Sequence, residues 1–137
     1  MSTHIQIASP DGLAAPLGAY SHVSSAVGNR VVFVAGQVGI YANGTLAGPG
    51  MREQAIQTFE NLKTALESQG LSMSEIVKLT SYMTSSDDIG AFYGAREEVF
   101  PSLFPSGEYP PNTLLVVDRL VKPEFVVEIE AIAIGEA

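Results

Sequence analysis

Residues 30–40 read RVVFVAGQVGI. Side chains alternate across a strand, so Val31, Phe33 and Ala35 fall on one side and Val32, Val34 and Val38 on the other. A sheet with one wet face alternates apolar with polar residues. Here both sides are apolar, and both are expected to be buried.

Working outward from this strand, His22 to Val27 reads as a second strand and Gly28-Asn29 as a tight turn, so that residues 22–40 are expected to form a β-hairpin. Ile5-Gln6-Ile7 suits a short edge strand. Asn43, Gly44, Gly48, Pro49 and Gly50 make residues 41–50 a loop. From Met51 to Gln69 the apolar residues Met51, Ala55, Phe59, Leu62 and Leu66 recur at helical spacing, with Glu60 and Lys63 placed to pair at i, i+3 and Gly70 at the C′ position. Ile76 to Thr84 is rich in β-branched residues and reads as a strand. Ser86 is placed to cap a second helix, with Asp87 and Asp88 in its first turn. Ile89, Phe92, Tyr93, Arg96, Val99 and Phe100 lie along one side of that helix. Four prolines between Pro101 and Pro111 exclude regular structure there. Thr113–Asp118 and Phe125–Ile134 are the last strands.

This order, ββαβαββ after the first short strand, specifies an α+β fold with one mixed sheet and two helices on one face. No repeat or composition break divides the chain, so residues 1–137 form a single domain. Two helices cover one face of the sheet only. A partner subunit is the simplest cover for the other.

Composition narrows the function. The chain is 46% hydrophobic and 16% charged, which suits a packed globular domain. It has no cysteine, which excludes disulfides, thiolate metal sites and cysteine catalysis. Its two histidines, His4 and His22, are far apart, and no motif implies a metal or an organic cofactor. Seven basic residues against fifteen acidic ones leave a net charge of −8, with the cations scattered, so nucleic acid is not an expected partner. No basic amphipathic helix and no run of about 18 apolar residues suggests a membrane partner. The first ten residues lack the apolar core of a signal peptide, and a cytoplasmic location is expected.

Four segments carry a further signal: Leu17-Gly18-Ala19-Tyr20-Ser21-His22, Val34-Ala35-Gly36-Gln37-Val38, Ile76-Val77-Lys78-Leu79-Thr80, and Val127-Glu128-Ile129-Glu130-Ala131-Ile132-Ala133. In order and spacing the chain resembles the RidA/YjgF family of reactive-intermediate deaminases from about Pro16 to Ile134. The resemblance implies a chorismate-mutase-like fold, a homotrimer whose sheets form a central barrel, and small-molecule clefts between subunits. Typical members hydrolyse enamines or imines such as 2-aminoacrylate to ketoacids and ammonia.

The same resemblance supplies candidate residues. Glu128 matches the glutamate that holds or activates the attacking water; the other reading is a glutamate facing a polar central cavity. Tyr20 matches a cleft tyrosine, or else is a core aromatic. Gly36 and Gln37 match the cleft floor, although a glycine there also suits a strand bulge. Tyr93 stands where many relatives carry a smaller polar cleft residue. His22 reads as a strand-surface histidine. In Pro110-Pro111-Asn112-Thr113, Asn112 and Thr113 match a substrate-binding motif in which relatives place an arginine at the position of Asn112. A neutral amide cannot offer the charged fork that an arginine gives a carboxylate. Activity on 2-aminoacrylate is therefore expected to be poor, unless another arginine, such as Arg96 or Arg119 of a neighbouring subunit, replaces the anchor. Three functions follow: an imine or enamine hydrolase of altered substrate choice, a non-catalytic trimer that binds a small metabolite, or a different hydrolase or lyase reaction in the same cleft.

Overall fold

The structure is a computed structural model, and it describes residues 3–137. Five strands and two long helices lie where the sequence places them, and a sixth strand pairs at the amino-terminal edge. The elements are β1 (His4–Ala8), β2 (Val23–Val27), β3 (Arg30–Val38), α1 (Met51–Glu67), β4 (Ile76–Met83), α2 (Ile89–Leu103), β5 (Asn112–Val116) and β6 (Val127–Gly135). Strands β3-β6-β4-β5 make a mixed sheet in that order, parallel only between β4 and β5.

Both helices pack on one face of this sheet. The apolar stripe of α1 is buried, as its spacing requires, against Val34, Leu79, Val127 and Ile129. Phe59 of α1 stacks on Phe92 of α2 at 6.2 Å and meets Phe100 edge-on at 5.1 Å, which ties the helices together. Gly70 closes α1. Its φ of +75° lets Leu71 N–H reach Leu66 O and Gly70 N–H reach Glu67 O, the paired bonds of a Schellman ending.

Strand β6 shows the sidedness of the sheet. Val127, Ile129, Ala131 and Ala133 are buried beneath the helices, while Glu128, Glu130, Ile132 and Ile134 face the other way. On that outer face Val31 is 51% and Phe33 73% exposed within one chain. The apolar outer side read from residues 30–40 is thus real, and the single chain leaves it uncovered.

Five expectations need correction. Strands β2 and β3 do not form a hairpin: β2 pairs with β1, His4 opposite Val27 through Ala8 opposite Val23. The Gly28-Asn29 link instead carries the chain between sheets, held where Asn29 N–H donates to Gly135 O at 3.1 Å. Val38 does not share a side with Val32 and Val34, because a bulge at Ala35-Gly36 inserts one residue and flips the alternation. Pro101 lies inside α2, in its last turn, where the buried Phe100, Leu103 and Phe104 hold the helix despite one missing bond. Capping before α2 falls to Ser85, whose side chain accepts from Asp87 N–H, and not to Ser86. Lys63 pairs with Glu67 and not with Glu60.

Candidate functional site

All but one of the candidate residues fall into two groups. The first lies beside β5, between α2 and the loop that precedes β2. Tyr20, Tyr93, Arg96 and Asn112 line a recess of about 230 Å³ with apolar walls from Leu17, Ile89 and Leu114. The loop is fixed locally. Leu17 N–H donates to Tyr20 Oη at 3.2 Å, His22 Nε2 lies 2.6 Å from Ala14 O, and Tyr20 packs edge-on against His22. His22 therefore serves as a tie for this loop. Asn112 opposes Leu79 of β4, so its side chain lies on the helix side of the sheet, where the buried Ser81 hydroxyl donates to its Oδ1 at 2.8 Å.

The second group is on the outer face. Glu128 opposes Tyr82 of β4 and Val38 of β3. Its carboxylate lies against Gly36: a Cβ at residue 36 would stand 2.6 Å from Glu128 Cδ and closer still to Oε2. Gly36 is thus both a bulge residue and the space that Glu128 occupies. Burial, then the neighbouring charge of Glu130, pushes the Glu128 carboxyl above the ordinary glutamate range. Glu130 Oε1 accepts from the Tyr82 hydroxyl at 2.7 Å, which raises the tyrosine. Lys78 donates to Thr113 Oγ1 at 2.8 Å; its ammonium is lowered by desolvation and partly restored by Glu130. Thr113 therefore faces away from the recess that holds Asn112, one residue earlier in the strand.

Gln37 belongs to neither group. It sits at the far edge of the sheet near Gln57 and Asn61 of α1, and its amide donates to Ala35 O across the bulge at 3.1 Å. One participant, Ser81, escaped the sequence reading of the site, and Arg96 entered it only as an alternative anchor beside Arg119. Ser81 orients Asn112, and nothing in a β-branched strand marks it. Arg96 was visible as a charge on an apolar helical stripe, and that misfit was its signal. Among the described residues no cluster of His, Asp or Glu is arranged to hold a metal, and no helix is long and apolar enough to cross a membrane.

The sequence profile described as endoribonuclease L-PSP matches residues 12–135. The chain belongs to the RidA/YjgF family. A RutC family protein of Pyrococcus horikoshii is 36% identical over 123 residues, covering 88% of this chain and 90% of its own length. The 2-iminobutanoate/2-iminopropanoate deaminase of Dermatophagoides farinae is 32% identical over 114 residues, covering 77% and 87%. Among solved structures, a Rid family protein of unknown function from Yersinia pestis superposes with a TM-score of 0.84 at 26% identity, covering 95% and 98%. The structure of Escherichia coli TdcF with bound serine gives 0.69 at 30% identity, covering 76% and 80%. The two-helix, mixed-sheet architecture is that of these RidA/YjgF relatives.

Proposed function

We propose that this RidA/YjgF protein hydrolyses the C=N bond of a small imine, or of the enamine that tautomerises to it, in a cleft between subunits of a homotrimer. Glu128 carries the reading. It is a carboxylate on an open sheet face, with its proton affinity raised by burial and by Glu130, and Gly36 in the bulge of the neighbouring strand leaves it room. In the reaction, water adds to the imine carbon as Glu128 accepts its proton. That proton passes to nitrogen to give a carbinolamine; its hydroxyl proton then follows to nitrogen as the C–N bond breaks, and a carbonyl product and ammonia leave. No metal or cofactor enters these steps.

The recess with Tyr20, Tyr93 and Asn112 and the carboxylate of Glu128 lie on opposite faces of one sheet. Asn112 opposes Leu79 and Glu128 opposes Tyr82, three positions apart on β4, or roughly 10 Å along the strand. A cleft that uses both draws them from two copies of the chain. The exposed Val31 and Phe33 give a second copy an apolar surface to cover. Relatives named as 2-iminobutanoate/2-iminopropanoate deaminases support the substrate class, and the serine seen in TdcF supports an α-amino-acid skeleton. The net charge of −8 disfavours a polyanionic RNA substrate.

The test generates 2-iminopropanoate and 2-iminobutanoate in situ and follows their decay. Light scattering on the same sample checks for a particle of three chains. Wild-type protein is expected to speed the decay, and Glu128→Gln to lose about 10²–10⁴ of that acceleration. Equal decay with and without protein, across imines of both sizes, would overturn the hydrolase and leave a metabolite-binding trimer.

A further inference from the structure

We infer that Arg96 of α2, standing beside Asn112 in the recess under Tyr20, is the anchor for a small carboxylate ligand in this protein. Arg96 is 2% exposed, yet it lines the recess. A buried guanidinium ordinarily has a carboxylate partner. Among the described residues Arg96 has none: the ion pairs are Arg52 with Glu98 and Lys63 with Glu67, both on the surface. Its Nε is buried with no hydrogen-bond partner. Three rings surround the cation, with their centroids at 4.7 Å for Tyr93, 4.9 Å for Phe92 and 5.9 Å for Phe100. They hold the guanidinium in place and offset part of its desolvation. The Tyr93 hydroxyl is a neutral partner for the guanidinium, which leaves its charge uncompensated and its Nε unpaired. Gly18 lets it lie at the loop: a Cβ there would stand 2.9 Å from Nη2.

The other polar groups of the recess share this bias. Asn112 has its Oδ1 engaged by Ser81, which leaves its amide N–H pair to point outward as donors. Tyr20 Oη accepts from Leu17 N–H, so its own proton is free to donate. Tyr93 adds a second hydroxyl. A recess of about 230 Å³ offering donors and one uncompensated positive charge selects an anion. Planar guanidinium and amide donors suit a planar carboxylate. Leu17, Ile89 and Leu114 provide an apolar wall for a short alkyl chain beside it. The ligand class is thus a small 2-imino or 2-oxo carboxylate. The charge missing at residue 112 is supplied by residue 96 on the facing helix.

This identity of the ligand rests on the hydrolase reading, but the anchor can be tested by binding alone. Pyruvate and its neutral amide, pyruvamide, are titrated against the intact protein by NMR. Wild type is expected to prefer pyruvate by about tenfold or more, the difference between charged and neutral hydrogen bonding. Arg96→Met, checked for wild-type circular dichroism, is expected to lose that preference. Asn112→Asp keeps Arg96 but places a carboxylate beside it; this variant should melt higher and no longer bind pyruvate. No preference in wild type, or unchanged pyruvate affinity in a folded Arg96→Met, overturns the anchor. If Arg96→Met does not fold, unchanged pyruvate binding by Asn112→Asp overturns it. Imine turnover with the same kcat/KM in Arg96→Met also removes the anchor and leaves the hydrolase standing. Arg96-dependent pyruvate binding without any imine turnover removes the hydrolase and leaves the anchor.

Discussion

Gly36→Ala isolates the role of Glu128 without touching the carboxylate. Residue 36 is not among the glycines at positive φ, which are Gly44, Gly70 and Gly107, so its backbone accepts alanine. The added methyl would lie 2.6 Å from Glu128 Cδ and 2.8 Å from Cγ. Carbon atoms at rest stand about 3.5–4.0 Å apart, so the carboxyl must retreat by about 1 Å. It is the end of a flexible side chain on an open face, and its retreat should cost stability no more than about 0.5–1.5 kcal/mol. A displacement of about 1 Å of a group that must meet a reacting water costs on the order of 10²-fold in rate. The expected result is a melting temperature within a few degrees of wild type and kcat reduced about a hundredfold. KM should be nearly unchanged, because Gly36 lies away from the recess that holds Asn112. The assay is imine decay at several substrate concentrations, beside a thermal melt. Wild-type kcat in Gly36→Ala would refute the placement of Glu128 at the reacting water.

Glu128 also gives a pH signature. Its carboxyl is held above the ordinary glutamate range, first by burial and then by Glu130. Turnover should fall as pH drops through that raised value, so the acid limb of kcat/KM should lie above the ordinary glutamate pKa. For stability the sign is opposite. The native state favours the protonated form, so this contribution is complete below the unfolded pKa and is lost as pH rises through the folded one. Glu128→Gln is therefore expected to melt above wild type at pH 7–8, and the gap to close towards pH 4. Gln54 tests the core: it is 0% exposed, its Nε2 donates to Gly48 O and Glu124 O, and its Oε1 accepts from Val126 N–H. Gln54→Leu leaves three partly buried backbone groups without their partner. It should lower stability by about 2–5 kcal/mol in urea unfolding, and a loss under 1 kcal/mol would contradict the network.

Much of the fold was legible because burial imposes a period. The stripe from Met51 to Leu66, the charged-apolar alternation of Val127 to Ala133 and the two-sided apolar strand at residues 30–40 each have one cheap way to hide their apolar surface. The failures share a different cause. Whether β2 pairs with β1 or β3 depends on long-range hydrogen bonding, which carries no local period. The bulge at Ala35-Gly36 changes which residues share a face, and one extra residue leaves no trace in composition. Pro101 stayed helical because three buried side chains outweighed one lost bond. At the site, resemblance supplied Glu128, Tyr20 and Asn112 as single positions. It could not show that Asn112 and Thr113, adjacent in the chain, point to opposite faces, or that Arg96 shares the recess with Asn112.

That opposition of faces has a consequence that mixed assemblies can test. If each cleft takes the donor recess of one chain and Glu128 of its neighbour, Glu128→Gln and Arg96→Met damage different halves of the same site. Each variant alone leaves no intact cleft. Unfolded together in equal amounts and refolded, they are expected to form mixed trimers. A recess from a Glu128→Gln chain then meets the native Glu128 of an Arg96→Met chain in about a quarter of the clefts. Imine turnover should therefore recover to about a quarter of wild type, with wild-type KM in the recovered fraction. A site contained in one chain has no route to this recovery, since every protomer still carries one of the two lesions. Mixtures that form mixed trimers, seen by mass tagging of one variant, yet stay as inactive as their parents would show that recess and carboxylate do not work as halves of one shared cleft.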